Sequence, residues 1–183
     1  SVGAAPEIKL ALPPYVAAAV EGGSTEVRAV LTLAGSPFLR MTGAIRFLLH
    51  YPYGCVEQVS SGVLGLAALR GAITDGLVPG ITTADTDAFL KKGISRLLGM
   101  QLESGGFSYW PGSTQVHPWG TVYAAMALSL AQLKGLEVPA AGLAQATAYL
   151  QDQALGPKHP ALLRAYAAYI LSLTKNLRRD AFQ

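Results

Sequence analysis

The segment Tyr123–Leu130, Tyr-Ala-Ala-Met-Ala-Leu-Ser-Leu, recurs as Tyr166–Leu173, Tyr-Ala-Ala-Tyr-Ile-Leu-Ser-Leu, with six identities in eight positions at an offset of 43 residues. That period fits one helical hairpin per repeat, a unit that buries its apolar face only by stacking on the next. Val122, Met126, Leu130 and Leu133 recur at helical spacing on one face. Convergence of two Ala- and Leu-rich helices is the alternative; the turn signals between the copies favour a hairpin array.

The rest of the chain fits this pattern. Of its 183 residues, 51% are hydrophobic and 14% charged, a balance that excludes a disordered chain and suits closely packed helices with small residues at their interfaces. Ser36-Pro37 reads as an N-cap followed by proline at the first helical position, opening a helix through about His50. Further helices are expected over Cys55–Thr74, from Thr86 or Asp87 to Met100, and over Trp119–Lys134, Pro139–Gln153 and Pro160–Lys175. The first 35 residues differ. Glu7–Leu12 and Glu26–Leu33 alternate polar and apolar positions, as half-buried strands do, and Pro13-Pro14 and Gly22-Gly23-Ser24 punctuate them. Two regions are therefore expected, a β segment over 1–35 and a helical body over 36–183.

The net charge of +3 comes from 14 scattered basic residues, without the basic stripe of a nucleic-acid binder. The longest apolar stretch, Gly120 to Ala131, is too short to cross a bilayer. The N-terminal residues carry no basic n-region or cleavage pattern, so no signal peptide is expected there, and the missing initiator Met suggests a processed or shortened chain. A single cysteine allows no internal disulfide.

That cysteine, Cys55, lies in Tyr51-Pro52-Tyr53-Gly54-Cys55-Val56-Glu57-Gln58. On a helical turn, residues i and i+3 are neighbours, which brings the Cys55 sulfur to the carboxamide carbon of Gln58. Attack with loss of ammonia yields an internal thioester. Gly54 is expected to supply backbone freedom for the turn, and Pro52 to fix the approach. A lone cysteine is more often a small buried hydrophobe, and C-x-x-Q alone is weak.

The flanks favour the thioester, because the eight-residue run closely resembles the thioester signature of the α2-macroglobulin and complement family, particularly its bacterial members. The resemblance implies an α/α toroid of inner and outer helical rings, of which six helices are the first part, so that exposed inner-face apolar surface is expected, with either self-association or repacking to cover it. It also implies a one-use trap rather than an enzyme: a protease cleaves a bait region elsewhere in the full-length protein, and one of its lysine amines attacks the Gln58 acyl carbon and displaces the Cys55 thiolate. The implied partners are attacking proteases and the remaining domains of the full-length chain. The implied location is the periplasm, with an inner-membrane anchor.

Gln101–Trp110 ends in Gly-Gly-Phe-Ser-Tyr-Trp. It resembles a segment that lies beside the thioester in bacterial macroglobulin-like proteins, which makes Trp110, with Tyr51, a candidate shield against water; packing on the toroid core is the alternative for Trp110. The same segment resembles repeats of terpenoid cyclases, toroid enzymes whose chemistry needs an acidic motif. The close acidic pair Asp85-Thr86-Asp87 is better explained by N-capping. His117 is either an acyl-transfer residue, as in some members of the resembled family, or a loop or helix-capping histidine, and the second is favoured. No His/Cys/Asp/Glu spacing reads as a metal site, and no cofactor is implied. Glu57 has no role beyond support of a helix N-terminus. Besides the trap, a non-catalytic interaction module with no thioester formed stays open.

Overall fold

Alanine and glycine at closely spaced positions let helices approach along their whole length, and the two central helices of this chain are built that way. The computed structural model describes residues 41–50 and 54–176, together with Pro14, Gly22 and Phe38. The chain divides into two units, Ser1–Gly35 and Ser36–Gln183. The β segment expected over 1–35 and the Ser36-Pro37 cap lie outside the described residues.

The second unit is helical: α1 (Thr42–His50), α2 (Val56–Thr74), α3 (Thr83–Leu98), α4 (Pro118–Leu133), α5 (Ala140–Tyr149, continuing as a π-helical turn over Leu150–Ala154) and α6 (Ala161–Leu173). No strand pairs into a sheet among the described residues; two isolated antiparallel bridges, Gln101 with Phe107 and Ser108 with Val116, hold the loop between α3 and α4. α2 packs on α4, and α4 on α6, giving one layer. α3 packs on α2, and α5 on α4, giving a second. α1 lies against both α2 and α3. This is the stacked-hairpin, α/α-toroid arrangement expected of the sequence repeat, with α4 and α6 at equivalent places.

α4 is buried on nearly every side, through Gly120, Ala124, Ala125, Ala127, Leu128 and Ala131, as befits a helix covered by neighbours all round. The one-faced stripe that ends in Leu133 is therefore too narrow a description: Leu133 is exposed, and small residues carry the packing. The core continues through Leu66, Leu90, Leu97, Met100, Phe107, Leu150, Leu163, Ile170 and Leu171, all 1% exposed or less. Each such side chain contributes roughly 1.5–3 kcal/mol on leaving water. On the far side of α6, Leu162, Tyr166 and Tyr169 stand exposed at helical spacing.

Two helix boundaries differ from expectation. α3 begins three residues earlier than Thr86, because Thr82 caps it: its hydroxyl accepts from the Asp85 N–H at 3.0 Å and donates to Asp85 Oδ2 at 2.6 Å. Asp85 thus serves the cap, whereas Asp87 pairs with Arg70 of α2 in a two-pronged ion pair at 2.7 and 2.9 Å. The expected helix over Pro139–Gln153 changes to π geometry at Leu150.

Candidate functional site

Cys55 does not lie inside a helix; it is the N-cap of α2, with extended backbone angles (φ −67°, ψ 167°). The first N–H groups of a helix have no partner within it, and short polar side chains at the cap answer them. Cys55 and Gln58 do so reciprocally. The Cys55 sulfur faces the Gln58 backbone N–H, while the Gln58 side chain folds back and its Oε1 accepts from the Cys55 N–H at 3.2 Å. This capping box sets a nucleophilic sulfur and a carboxamide carbon on one helical turn. The donor already aimed at Oε1 is suited to hold negative charge developing on that oxygen. Cys55 is 2% exposed, whereas Gln58 faces outward.

Gly54 precedes the cap with no positive φ, so its part is space rather than backbone freedom. A Cβ there would stand 2.6 Å from Val59 Cγ2 and 3.2 Å from Arg96 Cζ. Arg96 reaches from α3 to the Gly54 carbonyl at 3.4 Å. Tyr51, Pro52 and Tyr53 lie outside the described residues.

The loop between α3 and α4 covers the cap from the other side. Gly105, at φ 85°, makes its tight turn; a Cβ would strike the Gln145 carbonyl of α5. Phe107 is fully buried. Its N–H donates to Thr121 Oγ1 at 2.8 Å and its carbonyl accepts from the His117 N–H at 2.8 Å, which ties the loop to the start of α4. Two residues on, the Tyr109 carbonyl accepts from the Val56 N–H at 3.0 Å and so caps α2 as well.

Tyr109 is the residue that the sequence reading missed. Its hydroxyl faces Cys55 and donates to Glu57 Oε2 at 3.4 Å. The Cys55 hydrogen bond and charge, with the Glu57 charge behind them, push the phenol's pKa up to about 12, so it remains a neutral donor. Trp110 is 52% exposed and meets the Tyr109 ring edge-on at 5.5 Å.

His117 is the N-cap of α4. Its Nδ1 accepts from the Gly120 N–H at 3.0 Å, and its ring packs edge-on against Tyr109 at 4.7 Å. It therefore holds the helix-capping place favoured from the sequence, two rings from the sulfur. Among the described residues no group of three His, Cys, Asp or Glu side chains could hold a metal ion, and no helix is long and apolar enough to cross a membrane.

No family model matches the chain. The "Alpha-2-macroglobulin" of Escherichia coli strain K12 is 35% identical to it over 127 residues, 67% of this chain and 8% of that protein. The chain belongs to the alpha-2-macroglobulin family. Solved members of the family share its fold. Salmonella alpha-2-macroglobulin reacted with methylamine superposes with a TM-score of 0.60 at 30% identity, covering 78% of this chain and 10% of that one. E. coli alpha-2-macroglobulin activated by porcine elastase gives 0.62 at 30% identity, covering 81% and 14%. The alpha-2-macroglobulin relatives are thus bacterial and far longer, and this chain corresponds to a small part of each.

Proposed function

We propose that the chain carries the thioester of a bacterial alpha-2-macroglobulin-like protease inhibitor, with the acyl bond between Cys55 Sγ and Gln58 Cδ. The observation that carries this reading is the reciprocal cap, in which the carboxamide is folded onto the cysteine and its oxygen is already held by the Cys55 N–H. In formation, Sγ attacks Cδ, the C–N bond breaks, and ammonia leaves with the thiol proton. In use, an amine nitrogen attacks Cδ, the C–S bond breaks, and the amine's proton passes to the departing sulfur. The neutral Tyr109 hydroxyl donates to that sulfur as charge builds on it, and the Cys55 N–H does the same for the carbonyl oxygen.

The reading is supported by the relatives: the Salmonella protein was reacted with an amine, and the E. coli protein is activated by a protease. On this reading the full-length protein is a single-use inhibitor rather than an enzyme, its partners are attacking proteases held through lysine amines, and it works in the periplasm, anchored at the inner membrane. By the resemblance Tyr51, and by its place beside Cys55 the Tyr109–Trp110 pair, are the residues that keep water from the bond.

Intact mass spectrometry of the untreated chain tests the proposal. A formed thioester makes the chain one ammonia lighter than its sequence, and methylamine adds to Gln58 while freeing one thiol. A mass equal to the sequence, with the thiol free from the outset, rejects it in favour of an interaction module of the same fold.

A further inference from the structure

A groove of about 720 Å³ opens between α1, α2 and α3, and Gln58 forms part of its wall. α3 turns one continuous face to it, Asp85, Phe89, Lys92 and Arg96, at the i, i+4, i+7 and i+11 spacing of one helical stripe. Phe89 joins Leu48, Leu49 and Val59 as the apolar part of the lining. On α3, Lys92 and Arg96 line the groove beside the carboxylate of Asp85, whose Oδ2 already accepts from Thr82. Neither Lys92 nor Arg96 takes part in an ion pair among the described residues. Arg96 stands at the end of the stripe where α3 meets the motif, its guanidinium at the Gly54 carbonyl. Gln58, the apolar lining and two cations without an ion-pair partner among the described residues thus share one groove.

We propose that this groove is an acceptor subsite. It binds amines that also bear a carboxylate on a short apolar arm, such as a lysine within an acidic peptide, with the carboxylate at Lys92 and Arg96 and the amine at Gln58. The cations lining the same groove favour the uncharged, nucleophilic form of the incoming amine, because a second positive charge is repelled there. The amine nitrogen then bonds to Cδ, the C–S bond breaks, and the proton goes to sulfur. Delivery to Cδ rests on the thioester proposed above, whereas binding in the groove does not.

Two measurements on the whole chain separate these parts. For binding, 6-acetamidohexanoate, which cannot react, is titrated against its uncharged amide, 6-acetamidohexanamide, with backbone amide shifts of α1–α3 as the readout. The acid is expected to bind about tenfold tighter at low ionic strength, a preference that salt weakens. Lys92→Gln with Arg96→Gln should abolish the preference, and Lys92→Gln alone, at an exposed position that leaves Arg96 on the motif, should reduce it. Equal binding of acid and amide, or shifts confined to other helices, overturns the subsite. For delivery, 6-aminohexanoate and 6-aminohexanamide are compared by intact mass. Adduct formation about tenfold faster with the acid supports the subsite, and equal rates on a formed thioester overturn it. If no thioester is present, the function proposed above falls, and the binding titration still decides the groove.

Discussion

The hydroxyl of Tyr109 faces Cys55 and donates to the Glu57 carboxylate at 3.4 Å, and the same tyrosine's carbonyl caps the first N–H of the helix that Cys55 opens. One residue therefore fixes the cap and faces the thiol. The sulfur and the Glu57 carboxylate both oppose ionisation of the phenol, which titrates at about 12. Acylation of the sulfur removes its part of that opposition, so closing the thioester should bring Tyr109 back toward the ordinary tyrosine value, and methylamine should raise it again. The ring-carbon NMR shift of labelled tyrosine, assigned with Tyr109→Phe, checks this. In the open form the contribution is fully present below the ordinary tyrosine pKa and is lost as pH rises through about 12, because the unfolded chain releases that proton first. The Tyr109→Phe variant should lack this alkaline decline in urea midpoints.

Gly54→Ala should be costly although the backbone angle allows alanine. Its Cβ would meet Val59 Cγ2 at 2.6 Å, and overpacking of this kind costs about 1–3 kcal/mol. The fraction of chain lighter by one ammonia should fall with it. Gly71 is the control: it is exposed within α2 with nothing within 4 Å of a Cβ, so Gly71→Ala should stabilise by about 0.5–1 kcal/mol and leave the mass unchanged. Equal effects at the two positions would contradict the packing argument.

Thr121→Val removes a buried acceptor. The Phe107 N–H loses Oγ1 and has no route to water, a loss of about 1–3 kcal/mol. Thr121→Ser keeps the hydroxyl and should recover most of it. Because Phe107 anchors the loop that carries Tyr109, the valine variant, once opened with methylamine, should also expose Cys55 to alkylating reagents faster than the serine variant does.

The Arg70–Asp87 pair joins α2 to α3 near the surface, with side chains 34% and 40% exposed. The Arg70 hydrogen bond holds the Asp87 carboxyl below its ordinary value. Its stabilising effect is thus present above that ordinary value and disappears as pH falls through the lowered one. At this exposure a double-mutant cycle with Arg70→Gln and Asp87→Asn should give about 0.2–1 kcal/mol, declining with added salt.

The hairpin array and the closeness of Cys55 to Gln58 were legible in the sequence for different reasons. The array follows from a repeat whose apolar spacing is local, and Cys55 and Gln58 are three residues apart, so one helical turn suffices to join them. Tyr109 was not legible, because its meeting with Cys55 depends on closing a long loop through the Phe107–Thr121 and Val56–Tyr109 hydrogen bonds. A motif pointed to Trp110, one position away, whereas the loop aims its neighbour at the sulfur. The start of α3 was misplaced because Thr82 and Asp85 sit in a Thr-rich stretch that reads as a turn. The π turn at Leu150–Ala154 left no pattern distinct from ordinary helix.

The two ends of the proposed bond sit in different surroundings, since Cys55 is 2% exposed and Gln58 points outward. Acyl transfer and the appearance of a detectable thiol are therefore separate events in time. A bulky colorimetric thiol reagent would record the later one, when the loop has opened, and would understate how quickly the target had already been captured.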